Sequence, residues 1–168
     1  MATSTELLVF TWGNSARADD GAGPAIAARL RELDTPGVVV IEDMQLQIEH
    51  VADIRSDVPV LFVDASVAID KGFAIERLFP GRDPSVTTHA LSPAALLQLY
   101  EATMRQSPPA AWQLHIAARS FELGEETSAL TAEAIRLAWR FLEDLLTGPP
   151  SGRTAALDAS CAPARESA

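Results

Sequence analysis

Short apolar runs alternate with amphipathic stretches along this chain. Glu6–Trp12 carries the run LLVFTW, of buried-strand length, closed by the turn signal Gly13-Asn14. After a polar stretch to Gly23, Pro24–Leu33 sets Ile26, Ala27, Leu30 and Leu33 on one helical face, with Pro24 in the first turn where its missing N–H costs nothing. Pro36-Gly37 ends that unit, and the β-branched Val38–Ile41 predicts a strand. Ile48–Arg55 reads as a short helix, Val58–Val63 as a strongly apolar strand ending at Asp64, and Phe73–Phe79 as a further strand. Ser92-Pro93 caps and opens a helix with Leu96, Leu97, Tyr100 and Met104 on one side. Trp112–Ala118 predicts another strand. Thr131–Leu146 predicts the last helix, with Ile135, Ala138, Leu142 and Leu145 inward and Gly148-Pro149-Pro150 as its stop.

Strands alternating with helices predict an α/β fold, a three-layer α/β/α sandwich around a mostly parallel sheet. Residues 1–147 form the expected domain. Residues 148–168, rich in Gly, Pro, Ser and Ala, read as a flexible C-terminal tail. Composition narrows the picture further. Of 168 residues, 48% are apolar and 21% charged, enough for a real core. Thirteen Lys+Arg against 23 Asp+Glu give a net charge of −10, the wrong sign for binding nucleic acid or an anionic membrane. No apolar run is long enough to span a bilayer, and the first ten residues lack the features of a secretory signal. The single cysteine, Cys161, excludes an intramolecular disulfide or a cysteine-based zinc site, and it has no activating neighbour in the sequence. These features lead us to expect a monomeric cytoplasmic protein whose partners are cationic or metal-bearing.

Sites in open parallel sheets lie outside the carboxyl ends of the strands. Three polar segments fall there: Gly13-Asn14 through Asp19-Asp20-Gly21 to Gly23, then Asp64-Ala65-Ser66, then Thr87-Thr88-His89 before the Ser-Pro helix. Together they offer carboxylates and one imidazole, an O,O,N set suited to a divalent ion such as zinc or nickel. Plainer roles exist for each. Asp19 or Asp20 can cap a helix, Asp64 can cap a turn, and His89 can bond to backbone. His50 on an exposed helix and His115 on a strand carry no assigned chemistry.

Other site types fit poorly. The glycines at 13, 21 and 23 lack dinucleotide-binding spacing, and an acidic helix start repels a pyrophosphate. The only lysine, Lys71, is not in a phosphate-binding loop, and no Gly-x-Ser-x-Gly elbow is present. A phosphoacceptor receiver domain shares the acidic pair and the later aspartate. It needs that pair directly after the first strand and a lysine late in the chain; Lys71 is too early, and Arg119 is no equivalent.

The run Gly13-Asn14-x-x-x-x-Asp19-Asp20-Gly21-x-Gly23 resembles the N-terminal signature of the nickel–iron hydrogenase maturation proteases. Val60-Leu61-Phe62-Val63-Asp64-Ala65 is similar to their second acidic motif, and His89-Ala90-Leu91-Ser92-Pro93 to their histidine motif. The resemblance covers roughly residues 6–146. It implies an α/β/α fold and an endopeptidase that removes the C-terminal extension of a hydrogenase large-subunit precursor after nickel insertion. It also implies that Asp20, Asp64 and His89 contact the metal and that Asp19 orients the first ligand. Nickel then comes with the client precursor, and zinc or cadmium can substitute for it. One departure concerns the loop after the second strand. Many members have Gly-Gly-Thr there, whereas this chain has Glu42-Asp43-Met44-Gln45-Leu46-Gln47-Ile48-Glu49-His50. The Gln45-Leu46-Gln47-Ile48-Glu49-His50 string, with Phe121-Glu122-Leu123-Gly124, resembles the branch serving soluble NAD-reducing hydrogenases.

The residues offer no nucleophile with a paired base, so hydrolysis calls for an activated water. Three routes stay open at this level: a catalytic metal, client nickel acting only as a docking handle, or aspartic-type activation by Asp19, Asp20 and Asp64. A receiver-like phosphoacceptor and a non-enzymatic nickel-binding protein are the alternative functions.

Overall fold

A computed structural model describes residues 4–81 and 91–161. His89, with Thr87 and Thr88, and the end of the expected tail from 162 onward lie outside the described residues. Five strands form one sheet: β1 (Leu7–Trp12), β2 (Val38–Asp43), β3 (Val60–Ser66), β4 (Phe73–Leu78) and β5 (Ala111–Ala117). Their order is β2-β1-β3-β5-β4, parallel except for β4, which runs antiparallel to β5. The helices are α1 (Ala22–Leu33), α2 (Pro93–Met104), α3 (Ala129–Thr147) and α4 (Arg153–Ala159), with 3-10 turns at Ala18–Gly21, Ile48–Asp53 and Pro150–Gly152.

The sheet is covered on both faces, which is why its three middle strands read as nearly unbroken apolar runs. Leu7, Val9, Leu61, Val63, Leu114 and Ile116 meet α1 and α3 on one face. Leu8, Phe10, Val60 and Phe62 meet α2 and the 3-10 turn at Ile48–Asp53 on the other. Handedness explains the split. The crossover from β1 to β2 and the one from β2 back to β3 step in opposite directions, so right-handed connections fall on opposite faces. The strand order therefore reverses at the carboxyl ends of β1 and β3, the position where open α/β sheets carry their binding sites.

Two expectations are corrected. Residues 148–161 are not a flexible tail. Leu157 of α4 is fully buried in the core with α3. Arg153 is 5% exposed, donates to the Leu146 carbonyl and pairs with Glu6 at 3.3 Å. Asp158 accepts the Trp112 indole N–H at 2.9 Å, and Cys161 forms a bridge with Ile75 on the edge strand β4. A few well-placed anchors in a small-residue segment suffice to cover that edge. The second correction is His50, which is buried at 8% exposure against Phe10. Its Nδ1 accepts the Gln47 N–H at 3.0 Å and caps the 3-10 turn.

Candidate active site at the carboxyl rim

The loop after β1 is built around Asp20. Gly13 takes φ +139°, and a Cβ there would lie 2.0 Å from the Asp20 carbonyl oxygen. At Gly23 a Cβ would lie 2.1 Å from the Trp12 carbonyl oxygen. Both glycines thus allow the loop and the start of α1 to close tightly on the end of β1. Asn14 Oδ1 accepts the Ala16 N–H at 2.9 Å, and the Asn14 N–H reaches the Asp20 carboxylate at 3.0 Å. The Asp20 N–H is held by the Arg17 carbonyl at 2.9 Å. Neither Asp19 nor Asp20 caps α1, whose N-cap is Gly21 without a side-chain bond.

Asp64 stands near the end of β3, next to β1. Thr11 pairs with Val63, so Trp12 and Asp64 follow side by side. Strand alternation puts both on the α2 face, two positions beyond Phe10 and Phe62. Burial pushes the Asp64 carboxyl up to about 7; the Ala65 N–H opposes this, the charge of Asp20 adds to the rise, and the Trp12 indole opposes it. The charge of Asp20, 44 positions away in sequence, thus reaches Asp64. Two carboxylates so placed are suited, when deprotonated, to hold a cation.

Asp19 takes no part in this pair. It is fully buried, and its carboxylate accepts four hydrogen bonds: from the N–H groups of Arg119 (2.7 Å), Ser120 (3.1 Å) and Ser128 (2.7 Å), and from the Ser128 hydroxyl (3.0 Å). Burial alone would raise its pKa, but the bonds from Arg119, Ser128 and Ser120 outweigh it and hold the carboxyl below the usual range. Asp19 is thus a knot tying the first loop to the entry of α3, which Ser128 caps. This anchoring fixes the loop that carries the neighbouring Asp20, the residue that Asp19 is expected to orient.

Sequence reasoning missed other members of the rim. Asp64 is the register partner of His115 on β5, and Trp12 that of Asp43 on β2. The α2 face thus carries Asp43, Trp12, Asp64 and His115 in a row across four strands. His115 Nε2 lies 3.5 Å from Glu76, and His50 Nε2 lies 3.4 Å from Asp43. Asp43 also accepts the Met44 N–H at 2.6 Å and the Gln47 side chain at 3.1 Å, so the loop that departs from Gly-Gly-Thr is internally bonded. Only the matching offsets of Trp12 and Asp64 at the ends of apolar runs hinted at this row.

Among the described residues, no three His, Cys, Asp or Glu side chains gather closely enough to hold a metal ion. Two members of the expected O,O,N set, Asp20 and Asp64, come together; the third, His89, is outside the described residues. Two carboxylates, one raised partly by the other's charge, are donors that a divalent cation would neutralise, so they fit such an ion.

No family model and no curated protein sequence matches this chain. Its architecture, a five-stranded mostly parallel sheet flanked by helices, is nevertheless that of solved hydrogenase maturation proteases. The nickel–iron hydrogenase maturation protease HycI of Thermococcus kodakarensis is similar at TM-score 0.67 and 24% identity, over 86% of this chain and 94% of that one. The hydrogenase maturating endopeptidase HybD of E. coli is similar at 0.64 and 19% identity, over 85% and 93%. The endopeptidase HycI of E. coli is similar at 0.63 and 21% identity, over 87% and 94%. No helix among the described residues is long and apolar enough to cross a membrane.

Proposed function

We propose that this chain is an endopeptidase that removes the C-terminal extension of a nickel–iron hydrogenase large-subunit precursor once nickel is in place. The observation that carries the reading is the Asp20–Asp64 pair at the reversal point of the sheet, in an architecture shared with hydrogenase maturation proteases. Nickel belongs to the client and is part of the substrate. In this reading Asp20, Asp64 and His89 offer it two oxygens and a nitrogen, so that only a loaded client docks. Zinc or cadmium would stand in for nickel at the same donors. Before the client docks, burial pushes the Asp64 carboxyl up to about 7; bound nickel would displace that proton and hold Asp64 as a carboxylate ligand. The Gln45–His50 and Phe121–Gly124 segments support a client from the soluble NAD-reducing hydrogenases.

The receiver alternative loses ground. Its acidic pair would need both Asp19 and Asp20 free, and Asp19 is committed to Arg119, Ser120 and Ser128.

Incubation with nickel-loaded and unloaded precursor, followed by mass measurement of the client, tests the proposal. The loaded precursor should shorten and the unloaded one stay intact. An unchanged loaded client overturns the proposal. Phosphoryl uptake from a small donor with Mg²⁺ would then favour the receiver, and tight nickel binding without cleavage a carrier.

A further inference from the structure

A second feature of the rim is not used by the carboxylate pair. A hollow of about 630 Å³ opens between the loop after β1 and the loop after β5, lined by Arg17, Arg119, Ser120, Phe121, Glu122 and Leu123. In a chain of net charge −10, two arginines 102 positions apart converge here. Arg31, Arg55, Arg77, Arg136 and Arg153 each meet a carboxylate. Arg17 and Arg119 instead donate to backbone carbonyls. Arg17 Nε reaches Phe121 at 3.1 Å, and an Arg119 terminal nitrogen reaches Asp70 at 2.6 Å. Such bonds orient a guanidinium without neutralising it, leaving its charge for a ligand.

The hollow is also preformed. Its two walls are stitched by Asp19 N–H to the Ser120 carbonyl (3.0 Å), by Gly124 N–H to the Ala16 carbonyl (2.8 Å), and by the Asp19 carboxylate to Arg119 and Ser120. The same stitching fixes its position next to Asp20, because the Arg17 carbonyl holds the Asp20 N–H. An anion entering here loses little free energy to ordering the site.

We propose that this hollow binds a carboxylate of the client's C-terminal extension through Arg17 and Arg119, an inference that rests on the function proposed above. Glu122 lines the same wall and the Glu125 carboxylate accepts from the Ser120 hydroxyl at 3.3 Å, so the two guanidiniums act as local donor forks rather than as a strongly cationic patch, which suits a single carboxylate better than a multiply charged phosphate. Exposed Leu123, at 74%, and Phe121 offer apolar surface to the neighbouring part of the peptide. The acidic remainder of the protein repels the same peptide elsewhere, so the hollow steers it into one register.

The test compares the full-length wild type with R17Q/R119Q and R17K/R119K. Both native side chains are exposed and make no core contact, so the variants should keep the wild-type melting temperature. With loaded precursor, R17Q/R119Q should raise KM by about tenfold or more while kcat stays within about twofold, and R17K/R119K should fall between. Fluorescence anisotropy then follows a labelled peptide copying the last ten residues of the precursor, alongside its C-terminal amide and a version with Asp and Glu changed to Asn and Gln. The altered peptide that loses affinity for wild type, but not for R17Q/R119Q, identifies the carboxylate as terminal or side-chain. Wild-type KM and peptide affinity in R17Q/R119Q would overturn the inference, as would equal binding of all three peptides. If wild type leaves loaded precursor uncut, the proposed function falls, and the anisotropy arm still decides the hollow because it needs no cleavage.

Discussion

The charge of Asp20 reaches Asp64 at the carboxyl rim of β1 and β3 and adds to the burial that carries the Asp64 carboxyl to about 7. The unfolded chain would hold that carboxyl near its ordinary 3.8, so between those values the folded state binds more protons. Stability associated with Asp64 is therefore fully present below about pH 4 and falls as pH rises through 7. Asp64→Asn should be more stable than wild type above pH 7, by up to about 4 kcal/mol, with the difference vanishing toward pH 4. Urea unfolding at pH 5 and pH 8 checks this. A pH-independent difference would mean that the carboxyl is not raised.

Asp64→Ala should abolish client processing while leaving a folded protein, because it removes a carboxyl whose charged form burial disfavours. His89→Ala should fail likewise if the imidazole completes the donor set. Client mass after incubation is the readout, with circular dichroism to confirm the fold. Wild-type trimming by either variant would remove that residue from the site.

Asp19 should behave in the opposite way. Asp19→Ala leaves three part-buried backbone N–H groups without their acceptor, while the Ser128 hydroxyl keeps Thr131 Oγ1, and should cost about 2–3 kcal/mol. Because its folded pKa is lowered, the stability it contributes is present above the unfolded value and is lost as pH falls through the folded one. Denaturant midpoints at pH 7 and pH 3 measure both effects. A stable but inactive Asp19→Ala would restore a chemical role.

Gly23→Ala places a methyl group 2.1 Å from the Trp12 carbonyl oxygen. The start of α1 must then move off β1, carrying Asp20 with it. We expect a loss of about 3 kcal/mol and of processing, against little effect for Ala at the open Gly124 apart from its φ of +81°. Thermal melting and client mass report the two losses.

Leu157→Ala should destabilise by about 2–3 kcal/mol, because the side chain is fully buried beneath α4. Removing 150–168 should cost more, since Arg153 and the Asp158 acceptor of Trp112 go as well. Unfolding curves of the two proteins decide the point. Equal stability of the truncated chain would return this segment to the status of a loose tail.

The layered α/β plan, the loop position of Asp20 after β1 and the strand-end position of Asp64 were written in local pattern. Apolar runs of strand length, glycine and proline punctuation, and the Ser92 cap act over a few residues, and sequence periodicity reports such short-range forces directly. Which of two neighbouring aspartates faces the rim was not so written. Asp19 and Asp20 are chemically identical, and only the approach of Arg119, Ser120 and Ser128 from a hundred residues away commits one of them to an anchor. Docking of Leu157, burial of His50 and convergence of Arg17 with Arg119 are of the same kind. Each depends on a partner distant in the chain, brought close by the burial of other residues, and a linear pattern carries no record of that distance.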